Sequence, residues 1–275
     1  MTIDSKKFDK WISDHPYLKE TADFECLLSS VLDKFADSES LEWNEYAERL
    51  SSGAVLITDP ELKKRVVSEA AAILNSAASE LARSCENKNL SSSFSELSER
   101  FSQDPNSSVN LMEAVLEKIN SADTLSGILR FLAWRSIERV VRPWRKGLEE
   151  WLAGSSWTKT QCPFCGNPPA MAQLVHTSNG RQKFLSCGCC RTRWKFMRMS
   201  CAFCGTHEQA QLDILETDNN EDLRLDLCRH CNSYIKTYTN EGNEDLMLSD
   251  WSSLHLDVIA SEKGLKRSAH SLYEF

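Results

Sequence analysis

The chain has 275 residues, 41% hydrophobic and 26% charged, with a formal net charge of -8. Those proportions belong to an ordinary folded protein and exclude a disordered chain; the length suits two domains, or one of about 150 residues with a smaller module. The longest apolar runs, such as Ala54 to Ile57, fall far short of the roughly 20 residues a membrane helix needs, which excludes insertion by a helix.

Met1 to Lys10 is polar and lacks the apolar core of a secretion signal, so the expected compartment is the cytoplasm. Residues 1–157 read as helices. Expected helices lie near 5–35 and 40–52, and the strongest begins after Asp59. There Asp59 suits an N-cap, Pro60 the first helical position and Glu61 the first turn. Leu62, Val66, Ala70, Ile73, Ala77 and Leu81 then recur at steps of four or three, the apolar stripe of an amphipathic helix. Asn87 and Asn89 interrupt it, and helices follow near 90–103 and 108–121 with a turn at Asp104-Pro105-Asn106 between them. Another starts near Asp123-Thr124 and carries Leu125, Ile128, Leu129 and Leu132 on one face. Pro143 is expected to break it, after which Trp144, Leu148, Trp151 and Leu152 continue an apolar face. Trp134, Trp144, Trp151 and Trp157 are read as packing residues. This half holds no paired carboxylates, nucleophile–base pair or phosphate loop, so it is expected to be a scaffold or docking surface.

The texture changes after Gly154-Ser155-Ser156. Short runs at 172–176, 184–185, 194–197 and 211–215 suit strands. Trp251, Leu254, Val258 and Ile259 fit a last helix closed by Gly264. Charge changes as well: residues 158–199 carry seven basic side chains (Lys159, Arg181, Lys183, Arg191, Arg193, Lys195, Arg198) and no acidic one, whereas the segments on both sides are net acidic. Such asymmetry orients partners.

Of 11 cysteines, eight stand in C-x-x-C pairs, which in a reducing compartment signals metal rather than disulfides. The first expected site is Cys162, Cys165, Cys187 and Cys190; the second is Cys201, Cys204, Cys228 and Cys231. The intervening loops of 21 and 23 residues are close to the gap of four-cysteine ribbons. Two residues between cysteines let one tight turn offer both sulfurs to an ion about 2.3 Å away, and a second such knuckle completes the tetrahedron. Gly166 and Gly205 follow the first knuckles, where a left-handed conformation is easiest for glycine. A closed four-sulfur site leaves no position for an activated water, so hydrolytic chemistry is not expected. The expected cofactors are two metal ions, iron or zinc, both of which accept tetrahedral sulfur; the C-P-x-C-G knuckle is similar to that of rubredoxin. Cys26 and Cys85 are read as small apolar fillers in helices. Cys189, beside Cys190, is read as a bystander, with ligand exchange or thiol reactivity as the alternative.

Arg191, Arg193, Lys195 and Arg198 alternate with Trp194 and Phe196. As a strand, 192–197 would put Arg193, Lys195 and Met197 on one face and the two aromatics on the other, in the core. The strip then favours a protein-docking surface over nucleic acid, with Arg191, Arg193 and Arg198 as candidate partner-binding residues. Bound metals with eight thiolates add roughly -4 in total, which also disfavours a nucleic-acid partner.

The order of these elements resembles the formate dehydrogenase accessory protein family (FdhE). The resemblance rests on Cys162-Pro-x-Cys165-Gly-x-Pro168 and Lys183-Phe184-Leu185-x-Cys187-x-x-Cys190-x-Thr192-x-Trp194. It continues through Arg198-x-x-Cys201-x-x-Cys204 and Cys228-x-x-Cys231-x-x-Tyr234-x-Lys236. It covers most of 160–238; the helical half agrees in length and character. Arg193 departs from a position that is often acidic in the family, and Cys189 is an added thiol. The resemblance implies an α+β fold: an all-helical N-terminal domain (1–157) followed by two rubredoxin-like or zinc-ribbon-like metal modules (158–199 and 200–275), the second with a C-terminal helix. It further implies a cytoplasmic factor, not itself an enzyme, that matures formate dehydrogenase by contacting its catalytic subunit. A zinc-ribbon nucleic-acid adaptor and a rubredoxin-like redox protein stand as alternatives, and homo-oligomerisation is left open.

Overall fold

The computed structural model of the chain describes residues 5–104, 106–117, 127–216, 222–269 and 271. Helices come first. Pro16 splits the expected 5–35 helix into α1 (Ser5–Asp14) and α2 (Lys19–Leu32), with a 3-10 turn over Pro16–Leu18 between them; proline lacks the N–H that would continue the ladder. The 40–52 segment yields a 3-10 turn at Trp43–Tyr46 and only one short helix, α3 (Ala47–Ser51).

The long helix α4 (Pro60–Ser84) starts where Asp59 accepts hydrogen bonds from the backbone N–H groups of Glu61 and Leu62, at 3.1 and 3.0 Å. The stripe from Leu62 to Leu81 is buried, each large side chain contributing about 1.5–3 kcal/mol through removal from water. Around α4 pack α2, α5 (Lys88–Gln103, capped by Asn87), α6 (Asn106–Glu117) and α7 (Gly127–Val141). Pro143 sits in a 3-10 turn, Arg142–Trp144, that separates α7 from α8 (Arg145–Ala153). Pro105, residues 118–121 and the expected start at Asp123-Thr124-Leu125 lie outside the described residues. Trp134, Trp144 and Trp157 are buried, and Trp151 packs partly buried against the same core. Cys85 packs there too, but Cys26 is exposed. The buried face of α2 runs through Ala22, Glu25, Leu28, Ser29 and Leu32, and Cys26 falls on its exposed flank.

The second half forms one seven-stranded sheet. Its strands are β1 (Pro169–Thr177), β2 (Gly180–Cys187), β3 (Arg193–Phe196), β4 (Leu212–Glu216), β5 (Leu223–Cys228), β6 (Ser233–Tyr238) and β7 (Lys266–Arg267), in the order β3-β2-β1-β6-β5-β4 with β7 beside β6. Two antiparallel meanders, β1-β2-β3 and β4-β5-β6, are joined by a parallel pairing that sets Met171 opposite Lys236 and Gln173 opposite Tyr238. Lys183 on β2 reaches Asp226 on β5 at 2.8 Å and ties the meanders a second time. α9 (Glu244–Met247), a 3-10 turn (Asp250–Ser253) and α10 (Leu254–Glu262) contribute Leu246, Trp251 and Leu256 to the core they share with Tyr234 and Tyr238 of β6, and Gly264 follows α10 at φ 70°. Val258 on α10, expected on the apolar face, is half exposed. Trp11 of α1 joins this C-terminal core and donates from Nε1 to the Ser252 carbonyl at 3.1 Å. Among the described residues no helix is long and apolar enough to cross a membrane.

All six residues of β6 are buried, Lys236 among them. Its ammonium meets Asp250 at 2.5 Å and Asp257 at 2.9 Å; Arg267 bridges the same two carboxylates, and Tyr234 donates to Asp257 at 2.8 Å. Burial alone would raise the Asp250 carboxyl, but Lys236 and Arg267 outweigh it and hold it well below the usual carboxylate range. Removing one partner strands the others, so Lys236→Ala should lower the unfolding free energy by about 3–5 kcal/mol in a urea titration. A depressed folded-state value means that the Asp250 contribution is complete above the ordinary carboxyl value of 3.8 and fades as pH falls below it. The acid limb of the melting curve should therefore flatten in an Asp250→Asn variant.

Candidate metal centres

Each first knuckle is a turn closed by a glycine. In the first, Cys162-Pro163-Phe164-Cys165, the Gly166 N–H donates to the Cys162 carbonyl at 2.9 Å with φ 71°. In the other, Gly205 donates to Cys201 at 3.1 Å with φ 74°. The second knuckles use the same left-handed step without glycine. Arg191 follows Cys190 at φ 58°, and Asn232 follows Cys231 at φ 56°. Asparagine tolerates that region. Arginine needs compensation, and its side chain finds it inside the molecule: a contact to Ser249 Oγ at 3.4 Å and the field of Glu138 and Glu25.

The strands then deliver the sulfurs. Cys187 ends β2, Cys228 ends β5, and the first knuckles lie just before β1 and β4. In each cluster the four Sγ atoms all lie within 4.8 Å of one another. Cys162 to Cys190 is 3.6 Å and Cys165 to Cys187 3.4 Å; Cys201 to Cys231 and Cys204 to Cys228 are both 3.7 Å. A tetrahedron with metal–sulfur bonds of about 2.3 Å has edges of about 3.8 Å, whereas a disulfide needs about 2.05 Å. The spacing and the all-sulfur donor set fit one zinc or iron ion per cluster, with no coordination position left over.

Electrostatics point the same way. Burial pushes the Cys162 and Cys187 thiols well above their ordinary range. At Cys165 burial also acts upward, but hydrogen bonds from the neighbouring sulfurs prevail and hold it well below. In the other cluster burial raises Cys201 and Cys228, while Cys231 is lowered by Ser233 and its fellow cysteines. Four thiols in so small a volume do not ionise together unless a cation joins them. Polar groups spread the resulting charge: Asn167 Nδ2 donates to Cys165 at 3.5 Å, Cys189 N to Cys187 at 3.4 Å and Phe203 N to Cys201 at 3.4 Å, and Thr192 Oγ1 lies 3.2 Å from Cys190.

The surroundings of the two clusters differ. The first is set into the helical half. The N–H groups of Leu56 and Ile57 donate to the Pro163 and Phe164 carbonyls, both at 2.9 Å. Phe164 is fully buried, its ring centroid 6.3 Å from that of Trp144. A Cβ on Gly188 would come within 3.3 Å of the Trp134 ring. The second cluster lies at the far end of the sheet, with Cys204 exposed and Cys231 half-buried.

The three arginines of the basic strip part company. Arg191 turns inward to the carboxylate Glu138, which Arg135, Arg145, Arg142 and Arg191 together hold well below the usual range against the pull of burial. Arg193 is half-buried: its backbone N–H donates to Glu149 at 2.9 Å, its guanidinium bonds Gln173, and it lies over the Phe184 ring at 5.4 Å. Arg198 is exposed, between the exposed Met197 and Met199. Trp194 and Phe196 are buried on the inner face of β3. Cys189 is buried, and burial pushes its thiol well up. Leu56 and Ile57 act through backbone contacts that no spacing pattern announces, whereas Thr192 stands in the Cys190-x-Thr192-x-Trp194 pattern; Asn232, directly after a knuckle, is the readable signal among the residues missed.

Comparison with known proteins bears on the same region. Residues 161–198 match the family profile described as FdhE, central domain, and residues 199–273 match FdhE, C-terminal domain. A protein named Protein FdhE homolog from Aquifex aeolicus is 33% identical over 111 residues, 39% of each chain; one of the same name from Pseudomonas aeruginosa is 31% identical over 138 residues, 47% of this chain and 44% of that one. The aligned part thus spans less than half the length of these relatives. The crystal structure of the FdhE protein from Pseudomonas aeruginosa superposes with a TM-score of 0.68 at 22% identity, over 94% of this chain and 88% of that one, so the α+β fold is shared through the helical half.

A glycine at φ 74° gives a clean test of the knuckle. Added to Gly205, a Cβ meets only Thr160 Cγ2, at 3.9 Å, so Gly205→Ala isolates the backbone cost. It should destabilise the folded chain by about 1–2 kcal/mol, read from chemical denaturation, and loosen metal retention at the second cluster. Asn232→Gly relieves the left-handed backbone but loses the hydrogen bond from Asn232 Nδ2 to the Gly264 carbonyl at 3.1 Å, so it should be near neutral.

Proposed function

Because the chain belongs to the FdhE family, we propose that it is a cytoplasmic accessory factor for the maturation of formate dehydrogenase, acting on the catalytic subunit and not as an enzyme itself. The observation that carries this reading is the pair of coordinatively closed four-sulfur clusters, lying in the stretch that matches the family profiles. Closed coordination gives a metal no place to activate water or bind substrate, so the ions serve to hold a surface in shape. On this reading residues 1–157 are the scaffold, and 158–199 and 200–275 are two metal modules with Cys162, Cys165, Cys187 and Cys190, then Cys201, Cys204, Cys228 and Cys231, as ligands.

Contact with the catalytic subunit is assigned to the face around Arg198. Met197, Met199 and Ile214 are exposed apolar side chains of this region. Arg198, Met199 and Phe203 line a groove of about 210 Å³ with Leu212 and Ile214. Arg191 and Arg193 have internal partners and are better suited to supporting this face than to touching another protein. The nucleic-acid alternative loses support from the burial of Trp194 and Phe196, since stacking platforms for bases have to be reachable. A redox role needs iron in place of zinc.

Two experiments test the proposal. Deleting the gene in a strain that makes formate dehydrogenase should abolish formate-dependent dye reduction, and unchanged activity sinks the reading. Arg198→Glu with Met199→Asp should weaken capture of the catalytic subunit about tenfold or more, about 1.4 kcal/mol, with metal content unaltered. Metal analysis with visible absorption after anaerobic purification distinguishes the ions: stoichiometric zinc without colour removes the redox alternative.

A further inference from the structure

The geometry points to a division of labour between the clusters: the first is a permanent clamp, and the second is an exchange site that yields its ion to an external thiolate or chelator through Cys204. The inference rests on both clusters holding metal, as in the reading above, and adds that they hold it differently.

The difference begins with what covers each knuckle. At the first cluster every residue from Cys162 to Asn167 is buried, as are Cys187, Cys189 and Cys190. The Leu56 and Ile57 amides hold the Pro163 and Phe164 carbonyls, Phe164 lies in the core beside Trp144, and the four cysteines belong to the same apolar core as helix α4. No incoming donor reaches these sulfurs until the helical half parts from the knuckle. Opening on that scale draws on much of the stability of the fold, so release is slow.

The second cluster has no such cover. Cys204 is exposed and Cys231 is half-buried; His207 and Glu208 after the first knuckle, Arg229 and His230 inside the second, and Asn232 after it all face solvent. Of its four cysteines, Cys201 and Cys228 are buried and contribute to the wall of the groove beside Arg198. The side open to solvent is therefore the Cys204 edge. An incoming thiolate takes the place of the Cys204 sulfur, which leaves protonated or free; the remaining three sulfurs follow in turn. This is ligand exchange without electron transfer, so no oxidant or reductant enters the balance. The sheet survives it, because β1 to β3 and the first cluster take no ligand from the second cluster, and β5 and β6 stay paired to their neighbours and to the Lys236 network.

The test uses the full-length protein carrying both metals, with an excess of the chelator 4-(2-pyridylazo)resorcinol for zinc, or loss of visible absorption for iron. Release should be biphasic, one equivalent leaving at least about tenfold faster than the other. In parallel, timed alkylation with iodoacetamide, in which the sulfur displaces iodide, is mapped by peptide mass spectrometry. Cys26, exposed and outside both clusters, labels independently of the metals; among the eight cluster cysteines Cys204 should label first and Cys231 next, with Cys162, Cys165, Cys187 and Cys190 protected until the slow phase. A single release phase, or labelling of the first-cluster cysteines as early as Cys204, overturns the proposal. Protein that takes up fewer than two equivalents after anaerobic reconstitution removes its premise instead, and leaves the accessory-factor reading to the deletion experiment.

Discussion

Four thiolate sulfurs crowd within 4.8 Å of one another only around a cation, and the second half of this chain is arranged to meet that condition twice. Each knuckle spends a left-handed residue, Gly166, Arg191, Gly205 or Asn232, to turn amides and sulfurs inward. The strands supply the rigidity: Cys187 and Cys228 are the last residues of β2 and β5, so one knuckle of each pair is anchored by a sheet ladder. The helical half completes the enclosure of one cluster and leaves the other to the solvent.

Charge is handled by the same logic away from the sulfurs. Glu138 on α7 gathers Arg135, Arg142 and Arg145 around it at 3.2 to 3.5 Å, and Arg191 adds its field from beside the first cluster. Lys236 does the reverse, drawing Asp250 and Asp257 onto β6. Buried ion networks of this kind contribute little net stability compared with well-packed apolar groups. They are strict about geometry, however, and each joins segments distant in sequence: α7 with the first module, β6 with the C-terminal helix and β7.

Much of this was legible in the residues alone, for reasons that are local. Asp59-Pro60-Glu61 and the stripe from Leu62 to Leu81 concern one helix and its cap, and the alternation in Arg193–Phe196 concerns one strand. Pairs of C-x-x-C carry their own geometry. The unreadable parts depend on distant partners. The strand Ser233–Tyr238 looks too polar for a central position until Asp250, Asp257 and Arg267 are set around Lys236. Arg191 reads as a surface cation, yet its backbone closes a knuckle and its side chain answers Glu138. Cys26 fails for a simpler reason, since composition places a cysteine in a helix without saying which face it takes. The unequal cover of the two clusters is invisible in spacings that are nearly the same, because it comes from Leu56, Ile57, Trp134 and Trp144, far upstream.

The parallel pairing of β1 with β6 also sets an order of events. A hairpin can close as soon as its second strand is made, so β1, β2 and β3 are able to pair before Ser233–Tyr238 is synthesised. β1 then presents an open edge until Ser233–Tyr238 has been made, and only afterwards can the C-terminal helix and the Lys236 network settle over it. An unpaired edge is a template for association with other chains, and long-range parallel pairings form slowly. Completion of the sheet at the β1 edge thus waits for Ser233–Tyr238.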